Sequence, residues 1–381
     1  MHWSYRMFRI FGIDVRVHAT FLFIVAYFAF VWGAVREPGG WVGALYGVLL
    51  VVLLFALVLI HELSHSRMAQ HYGITVKNIT LLPIGGVSSM EEIPQDPRKE
   101  FVISVVGPLS NLVLGLLMLA AAPLFFNVRE VFSSGEFSNL LLSRGFVATY
   151  VYLFVVNMTL AVFNLLPAFP MDGGRVFRAF LAMRMGRPRA TRIAVAVGQI
   201  LALAMGIAGL LGGGVFLILV AIFIYFGAQA ESTSDDVQRV LGDLRVRHAV
   251  NTRIETAAPG QTIGQLAARL FHIYQEDFPV VDSGGQVVGM LTRDRLISML
   301  GKHGSDFPVS EAMRTEFPIC SLDDSVYDAF VRMRTRQFKA APVIEGGRLV
   351  GMVSLEDISE VYTLLQAGGP SLAAQVSDEP R

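Results

Sequence analysis

The amino-acid sequence predicts an α-helical polytopic membrane domain, with six spans and a small β element, followed by an α/β unit of two similar repeats. Three observations support this fold class: long apolar runs in the first part, a shortage of charge there, and internal repetition in the second part. The chain is 53% hydrophobic and 16% charged, whereas a soluble domain is about 25% charged. The shortage of charge is confined to residues 1–230, which we therefore assign to the membrane domain.

Six apolar runs account for the predicted spans, and most reach or approach the ~20 residues that cross a bilayer. They lie near residues 18–35, 42–66, 101–126, 146–166, 193–211 and 214–230. The last two are separated only by Gly212-Gly213-Gly214, which predicts a tight helical hairpin or, alternatively, one broken long helix. Arg6 and Arg9 before the first run resemble the start of a signal peptide, but no cleavage-site pattern follows, so we expect a retained first helix.

The loop charges predict the orientation, because Lys and Arg are enriched on the cytoplasmic side. Three segments are basic, namely the N-terminal segment (Arg6, Arg9, Arg16), the second loop (Arg67, Lys77, Arg98, Lys99) and the fourth loop (Arg175, Arg178, Arg184, Arg187, Arg189, Arg192). The intervening loops carry only Arg36, Arg129 and Arg144. We expect a multi-pass protein of the cell membrane whose N-terminus and C-terminal repeats are cytoplasmic.

The second apolar run ends in His61-Glu62-Leu63-Ser64-His65, which has the form H-E-x-x-H. Residues four apart share one face of a helix, so both imidazoles can bind one metal ion such as zinc. Glu62 can then take a proton from water held by the metal. The alternative is a pair of histidines that contact Glu62 or lipid headgroups. Ionisable groups near membrane depth are costly and usually functional, which favours a metal site.

Asp172 is the candidate for the third protein ligand that a catalytic zinc site needs. It lies just after two prolines that end the fourth run and just before two glycines that allow a sharp turn. Irregular backbone at this depth indicates a cavity. Asn164, at the end of the same run, is a candidate donor to the oxyanion that forms on an attacked carbonyl. The alternative role for Asp172 is to cap the following helix.

Two further stretches of the membrane domain have structural predictions. Residues 76–87 are rich in β-branched residues, contain Pro and Gly, and are too short to span. They predict strands or an extended loop near the membrane face, whose edge a peptide substrate could join as an extra strand; a plain connector is the alternative. Asn111 in the third run can bond across a helix interface, but helix packing is its expected role.

The C-terminal part repeats with a period of about sixty residues, longer than usual solenoid repeats. Residues 246–252 match 309–315, 278–282 match 341–345, and 288–292 match 350–354. Each unit predicts strand, helix, strand, Gly-Gly hairpin, strand and helix. We therefore expect a linker at 231–244, a first repeat at 245–303, a second repeat at 304–366 and a flexible tail at 367–381.

The net charge and the cysteine content bear on the possible partners and metal sites of the chain. The formal net charge is zero, so bulk charge gives no reason to expect a nucleic-acid partner. The single cysteine, Cys320, excludes an intramolecular disulfide and a cysteine zinc cluster. We expect Cys320 to be a small buried apolar residue.

The paired motifs resemble the site-2 protease family of intramembrane zinc metalloproteases. The likeness rests on His61 and His65 on one span together with Asn164-x-x-Pro167-x-x-Pro170-x-Asp172-Gly173 on a later one, and extends to Leu82-Pro83-Ile84-Gly85-Gly86-Val87. It implies that His61, His65 and Asp172 bind Zn2+ and that Glu62 is the general base. It also implies that Asn164 positions substrate or stabilises the oxyanion.

The two repeats resemble a tandem pair of CBS domains, which often bind adenine nucleotides and commonly form dimers. In that family a Ser/Thr-x-x-Asp segment holds the ribose, which implies contacts from Ser354 and Asp357 in the second repeat. The first repeat departs from this pattern, because Arg295 replaces the aspartate; Arg293 or Arg295 could instead face phosphate. A dimerisation module without a ligand is the alternative.

The predicted function is a zinc endopeptidase that cleaves a peptide bond within or near a transmembrane segment of another membrane protein. ATP, ADP or AMP at the CBS pair would modulate it, and a homodimer through the CBS domains is expected. The alternative function is a CBS-regulated ion transporter or channel in which His61, Glu62 and Asp172 coordinate the ion. The inverted repeats that many transporters show are not evident in the sequence.

Overall fold

The computed structural model describes residues 3–36, 39–83, 85–90, 96–133, 140, 143–242, 244–270 and 275–365. The chain divides into two compact units, Met1–Ser232 and Thr233–Arg381. Two predicted features lie wholly or partly outside the described residues. They are the flexible tail expected at 367–381 and, within the stretch at 76–87 predicted to form strands or an extended loop, Ile84.

The first unit is mainly helical. Its helices are α1 (Phe21–Phe30, extended by a π-helical turn Val31–Val35), α2 (Gly40–His71), α3 (Pro97–Ala121), α4 (Val128–Ser133), α5 (Phe146–Asn164), α6 (Asp172–Met185), α7 (Arg187–Ala208) and the first part of α8 (Val215–Gly242). Among the described residues, five helical segments are long and apolar enough to cross a membrane; the apolar segment Phe21–Val35 is shorter. The six predicted runs thus all form helices, five of them of spanning length.

A four-stranded sheet accompanies these helices, with strands β1 (Ser4–Ile10), β2 (Ile13–His18), β3 (Val76–Leu82) and β4 (Gly85–Met90) in that order. β2 and β3 are parallel, and the two outer pairs are antiparallel. Residues 76–82 and 85–87 of the stretch after α2 therefore lie in β3 and β4, and β4 is at one edge of this sheet.

The first two strands, β1 and β2, were not predicted from the sequence. Residues 13–18 alternate strictly between apolar and polar, and the apolar Ile13 and Val15 are buried. This period of two is the usual signal of a half-buried strand. The two basic residues before the first apolar run drew the interpretation toward a helix and its flanking charges instead.

α7 and α8 form a tight hairpin rather than one broken helix. Gly212 and Gly214 between them have φ angles of 121° and 87°, which glycine adopts far more readily than other residues. Ala202 of α7 and Ile224 of α8 pack together in one buried cluster. The triple glycine therefore reverses the chain, as the first of the two alternatives predicted.

A buried ion cluster joins three helices of the first unit. Arg178 of α6 is 1% exposed and binds Glu100 of α3, while its Nη1 donates to Glu231 of α8 at 2.7 Å. The Arg178 guanidinium also lies 5.1 Å from the centre of the Phe169 ring, in the segment that precedes α6. This cluster fixes α6 against its neighbours.

The second unit contains two β-hairpins flanked by helices. Its elements are the end of α8, α9 (Ile263–Arg269), β5 (Phe278–Val281), β6 (Val287–Leu291), α10 (Arg293–His303), α11 (Val309–Ala312), α12 (Val326–Arg336), β7 (Ala340–Glu345), β8 (Arg348–Ser354) and a helix at 355–365. β5 pairs with β6 and β7 with β8, both antiparallel, as the repeat pattern predicted.

The two repeats exchange their leading segments. Asn251, before the first hairpin, pairs with Met352 of β8, and Arg314, before the second hairpin, pairs with Met290 of β6. The buried cluster around the second hairpin also contains Leu241, in the part of the chain expected to be a linker. Each repeat thus completes its core with chain that precedes the other.

Cys320 lies in that same buried cluster and is 1% exposed, which confirms that it is a small buried residue. Burial raises the pKa of its thiol to about 11, so it stays protonated and unreactive at neutral pH.

The ion cluster leads to a stability prediction. In Arg178→Leu, Glu100 remains buried without its main partner, and removing one partner of a buried pair costs about 3–5 kcal/mol. We expect a clearly lower unfolding midpoint in detergent, measured by thermal unfolding. Arg184→Leu, at an exposed position of the same helix, is the control and should unfold close to wild type. Equal midpoints for the two variants would contradict a stabilising role for the cluster.

Candidate metal centre

Three side chains that the sequence analysis placed in one site converge in the structure. His61 and His65 lie one turn apart on α2, and both are buried. Their Nε2 atoms are 3.1 Å apart, and the Oδ2 atom of Asp172 lies 3.0 Å from that of His61 and 3.1 Å from that of His65. Within the described part of the chain, these three are the acidic, histidine or cysteine side chains close enough to share one metal ion.

The Nδ1 atoms of both imidazole rings, which face away from Asp172, are hydrogen-bonded to acceptors; we call them the outer nitrogens. His65 Nδ1 lies 2.6 Å from the backbone carbonyl of Ile103, and His61 Nδ1 lies 3.0 Å from Oδ1 of Asn111. A carbonyl oxygen only accepts, so both Nδ1 atoms donate a proton. In the neutral rings both Nε2 atoms then present lone pairs to each other and to the carboxylate of Asp172. Three converging lone pairs repel unless a cation lies among them, so this donor set fits a divalent metal.

The donor types also fit zinc in particular. Two imidazole nitrogens and one carboxylate oxygen are ligands of catalytic zinc sites, which keep a further position open. Asp172 completes this set by placing one carboxylate oxygen, Oδ2, beside both imidazole nitrogens, where it can bind the same cation.

One face of α3 shapes the histidine pair. Ile103, Gly107 and Asn111 follow one another at four-residue intervals, so they lie along the same side of the helix. A Cβ atom at Gly107 would overlap the imidazole ring of His65. The glycine therefore gives the ring the space in which its Nδ1 reaches the carbonyl of Ile103.

The irregular segment before α6 positions Asp172 beside the two histidines. A Cβ atom at Gly173 would overlap the backbone of Leu165 and Leu166, and one at Gly174 would lie 2.7 Å from the carbonyl carbon of Ala168. The two glycines thus let the first turn of α6 pack directly on the segment before it. Met171 is the N-cap of α6 and Asp172 its first residue, so the Asp172 side chain is directed to the histidines rather than to a cap.

Glu62 and Asn164 line the cavity that contains the three candidate ligands. This cavity has a volume of about 820 Å³ and is also bordered by residues 85–88 of β4 and by aromatic side chains of α5 and α8. Glu62 lies against Gly86, where an added Cβ would be 3.1 Å from the carboxyl carbon. The predicted general base, the predicted oxyanion donor and an exposed strand edge therefore share one space with the metal ligands.

The contribution of α3 was not predicted from the sequence. Asn111 was expected to pack between helices, but it binds His61 and is itself bonded to Asn157 of α5. The available signal was the occurrence of asparagines inside two apolar runs, where polar side chains are costly and tend to be functional.

The predicted ribose contacts of the second repeat lie at the start of the helix at 355–365. Asp357 Oδ2 accepts from the Ser354 hydroxyl at 2.6 Å and from the Ser354 backbone N–H at 2.8 Å. In the first repeat, Arg293 pairs with Glu276 at 2.6 Å, and Arg295 donates to the carbonyl of Ala312. Both arginines that could have faced phosphate thus have partners within the protein.

Comparison with known proteins gives two family matches. The model of peptidase family M50 matches residues 49–208, and the CBS domain model matches residues 246–302 and 309–363. The zinc metalloprotease MJ0392 of Methanocaldococcus jannaschii is 31% identical over 367 residues, which cover 96% of this chain and 98% of that protein.

Two further relatives match one part each. The CBS domain-containing protein YhcV of Bacillus subtilis is 32% identical over 131 residues, 33% of this chain and 91% of that protein. The solved structure of the site-2 protease from Methanocaldococcus jannaschii is 37% identical, covers 60% of this chain and 95% of that chain, and superposes with a TM-score of 0.43.

Apolar helices around an H-E-x-x-H motif, followed by a pair of CBS domains, define a membrane zinc metalloprotease with a CBS module. The chain belongs to peptidase family M50, the site-2 proteases. The family match and the zinc metalloprotease relative favour the protease over the ion transporter or channel that the sequence left open.

The packing of Gly107 against His65 gives a prediction for metal binding. Gly107→Ala should displace the His65 ring and weaken zinc binding about tenfold or more, measured by competition with a chelator in detergent. Replacing glycine by alanine in a helix favours the helix itself, so a loss cannot be attributed to helix propensity. Gly206→Ala in α7 is the matched control, because the atom nearest to its Cβ would be 3.7 Å away. Equal zinc affinity in both variants would refute the steric argument.

Proposed function

We propose that the enzyme is an intramembrane endopeptidase that cleaves a peptide bond within or near a transmembrane segment of another membrane protein. The observation that carries this proposal is the position of the cavity, which opens among apolar spanning helices and is bordered by Phe163, Phe216 and Phe223. Such a lining suits the apolar side chains of a membrane segment. A helical segment hides its backbone amides, so the substrate must unwind locally before it is cut.

We assign the metal site to His61, His65 and Asp172. Zinc held by these residues would supply Lewis-acid chemistry, which polarises a carbonyl group and makes water a better nucleophile. Glu62 lines the same cavity as the three proposed ligands. In that position its carboxylate can accept the proton of the attacking water and return it to the leaving amine. Asn164, the last residue of α5, also lines the cavity and would donate to the carbonyl oxygen as negative charge develops there.

The edge strand β4 supplies a way to hold an unwound substrate. Gly85, Gly86 and Ser88 border the cavity, and among the described residues β4 has a strand neighbour on one side only. An extended peptide can pair with such an edge through backbone hydrogen bonds, which require no particular substrate sequence. This pairing would present a scissile bond to Glu62, which lies against the same strand.

The sheet supports the proposed six-span topology. β2 precedes α1 and pairs with β3, which follows α2, so both strands lie on the same side of the membrane. α2 has 32 residues and is about 48 Å long, enough to cross. This arrangement supports a further crossing in the short α1 segment. We propose that the N-terminus and the CBS domains are cytoplasmic, because the basic loops favour that side, and that the membrane is the cell membrane.

We further propose that the CBS pair binds an adenine nucleotide and modulates the protease. Ser354 and Asp357 would contact the ribose in the second repeat, whereas the arginines of the first repeat are engaged within the protein. Modulation requires that the nucleotide bind two arrangements of the enzyme with different affinity, typically by about 1–3 kcal/mol. A homodimer through the CBS domains is part of the same proposal. The proposed domain limits are residues 1–230 for the membrane protease domain, 231–244 for the linker, 245–303 and 304–366 for the two CBS repeats, and 367–381 for the tail.

Glu62→Gln tests the catalytic assignment. The amide keeps the shape of the carboxylate but cannot accept a proton, so zinc content should stay at the wild-type level. Cleavage should fall by about 100- to 10,000-fold. The measurements are zinc analysis of the purified protein and mass spectrometry of fragments from single-span peptides in detergent. Asp172→Ala should lose both zinc and cleavage, whereas cleavage by Glu62→Gln at the wild-type rate would remove Glu62 from the mechanism.

Asp357→Asn tests the nucleotide site. Asparagine can keep the hydrogen bond to the backbone of Ser354, but it loses the charged acceptor that a ribose hydroxyl would use. Affinity of the full-length protein for ATP, ADP and AMP, measured by calorimetry in detergent, should fall about tenfold, because a bond to a charged group contributes roughly 1.5–3 kcal/mol. Glu356→Gln, at the exposed neighbouring position, is the control. Unchanged affinity for all three nucleotides would place the ligand elsewhere or exclude it.

A further inference from the structure

The two asparagines in the apolar helices form a directional chain of hydrogen bonds that ends at the metal centre. Asn157 of α5 is 0% exposed and Asn111 of α3 is 1% exposed. The chain runs from a backbone carbonyl through both side-chain amides to the outer nitrogen of His61. We infer that Asn157 is a positioning residue for the metal centre, which acts through Asn111 to hold His61 in its metal-binding tautomer.

The first link fixes the amide of Asn157. Its Nδ2 lies 2.6 Å from the backbone carbonyl oxygen of Asn111. A backbone carbonyl can only accept, so this atom of Asn157 must be the nitrogen and not the oxygen. The orientation of the Asn157 amide is therefore set by the backbone of α3, and its Oδ1 is directed to the side chain of Asn111.

The second link fixes the amide of Asn111. Asn157 Oδ1 lies 3.0 Å from Asn111 Nδ2, so Asn111 must turn its nitrogen to Asn157. Its oxygen then faces His61 Nδ1 at 3.0 Å. The opposite orientation would bring two amide oxygens together and would place an N–H group against the imidazole. Because both asparagines are buried, no bulk water can bond to the amide groups that the opposite orientation would leave unpaired.

The third link sets the tautomer. An acceptor at Nδ1 requires the proton to be there, which leaves the lone pair of His61 on Nε2 beside Asp172 and His65. If Asn111 were reversed, its N–H group would favour a bare Nδ1, and Nε2 would carry the proton. That proton could be donated to Asp172 Oδ2, 3.0 Å away, giving a satisfied arrangement in which His61 cannot bind metal.

The two histidines thus differ in how they are held. His65 depends on the backbone carbonyl of Ile103, which no side-chain substitution removes. His61 depends on a side chain, and the direction of that side chain depends on Asn157. Groups that hold the outer nitrogen of a metal-binding histidine commonly change metal affinity 10- to 100-fold. We expect an effect of that size from Asn157, which touches none of the three ligands.

Asn157→Leu tests this inference, with zinc itself as the probe. Leucine removes both amide contacts at similar size, so Asn111 loses its preferred direction. The zinc dissociation constant of the full-length protein in detergent, measured by chelator competition, should rise about 10- to 100-fold. Asn157→Asp is the conservative partner, because a buried protonated carboxyl donates to one side and accepts on the other. It should bind zinc close to the wild-type affinity.

A second substitution separates orientation from packing. Asn111→Asp presents an oxygen to His61 in either direction, so adding Asn157→Leu to it should not weaken zinc binding further. A purely structural role for Asn157 would lower the unfolding midpoint of the metal-free protein and leave the zinc affinity of the folded fraction unchanged. If Asn157→Leu does not fold, Asn157→Ser is measured in its place and should also bind zinc more weakly.

The inference rests on the proposed metal site, and His61→Ala separates the two. Loss of zinc in His61→Ala together with wild-type zinc affinity in Asn157→Leu would refute the role of Asn157 and leave the metal site intact. Wild-type zinc binding in both variants would refute the metal site itself.

Discussion

Three electron-pair donors meet at one point of this protein, namely two imidazole nitrogens and one carboxylate oxygen. The outer nitrogens of His61 and His65 are committed as donors, so their inner nitrogens face each other and Asp172 with bare lone pairs. Such an arrangement is unfavourable by itself and becomes stable when a cation occupies it. The rest of the membrane unit can be understood as the framework that keeps these donors together, because each would otherwise turn to a hydrogen-bonding partner.

That framework consists of small or polar residues placed within apolar helices. Gly107 makes room for one imidazole, Asn111 directs the other, and Gly173 and Gly174 bring Asp172 in from a different part of the chain. These groups contribute little to apolar burial, and the buried polar ones must be fully bonded to be tolerated. Their presence is explained by the geometry of the site rather than by the stability of the helices. The Arg178 cluster likewise restrains α6 through charges that would be costly if they were unpaired.

The sequence by itself determined the class of the fold and indicated which residues form the candidate site. Long apolar runs predict membrane helices, because backbone groups within a bilayer must be bonded inside each segment, and five of the described helices are long enough to cross. The spacing of His61 and His65 fixes their common face through the geometry of one helix, and the sixty-residue repetition reveals the paired hairpins. β1 and β2 were not predicted, because the alternation at residues 13–18 lies among basic residues that also fit the charged flank of a membrane helix.

Only the tertiary structure decided which distant residues meet. Asp172 reaches the histidines because Gly173 and Gly174 allow close packing, and Asn111 and Asn157 act together because α3 and α5 are neighbours. The same holds for the CBS repeats, whose cores are completed by chain from before the other repeat. Local propensity and periodicity report on residues a few positions apart. Contacts between helices depend on how whole surfaces fit together, and a single sequence does not show that directly.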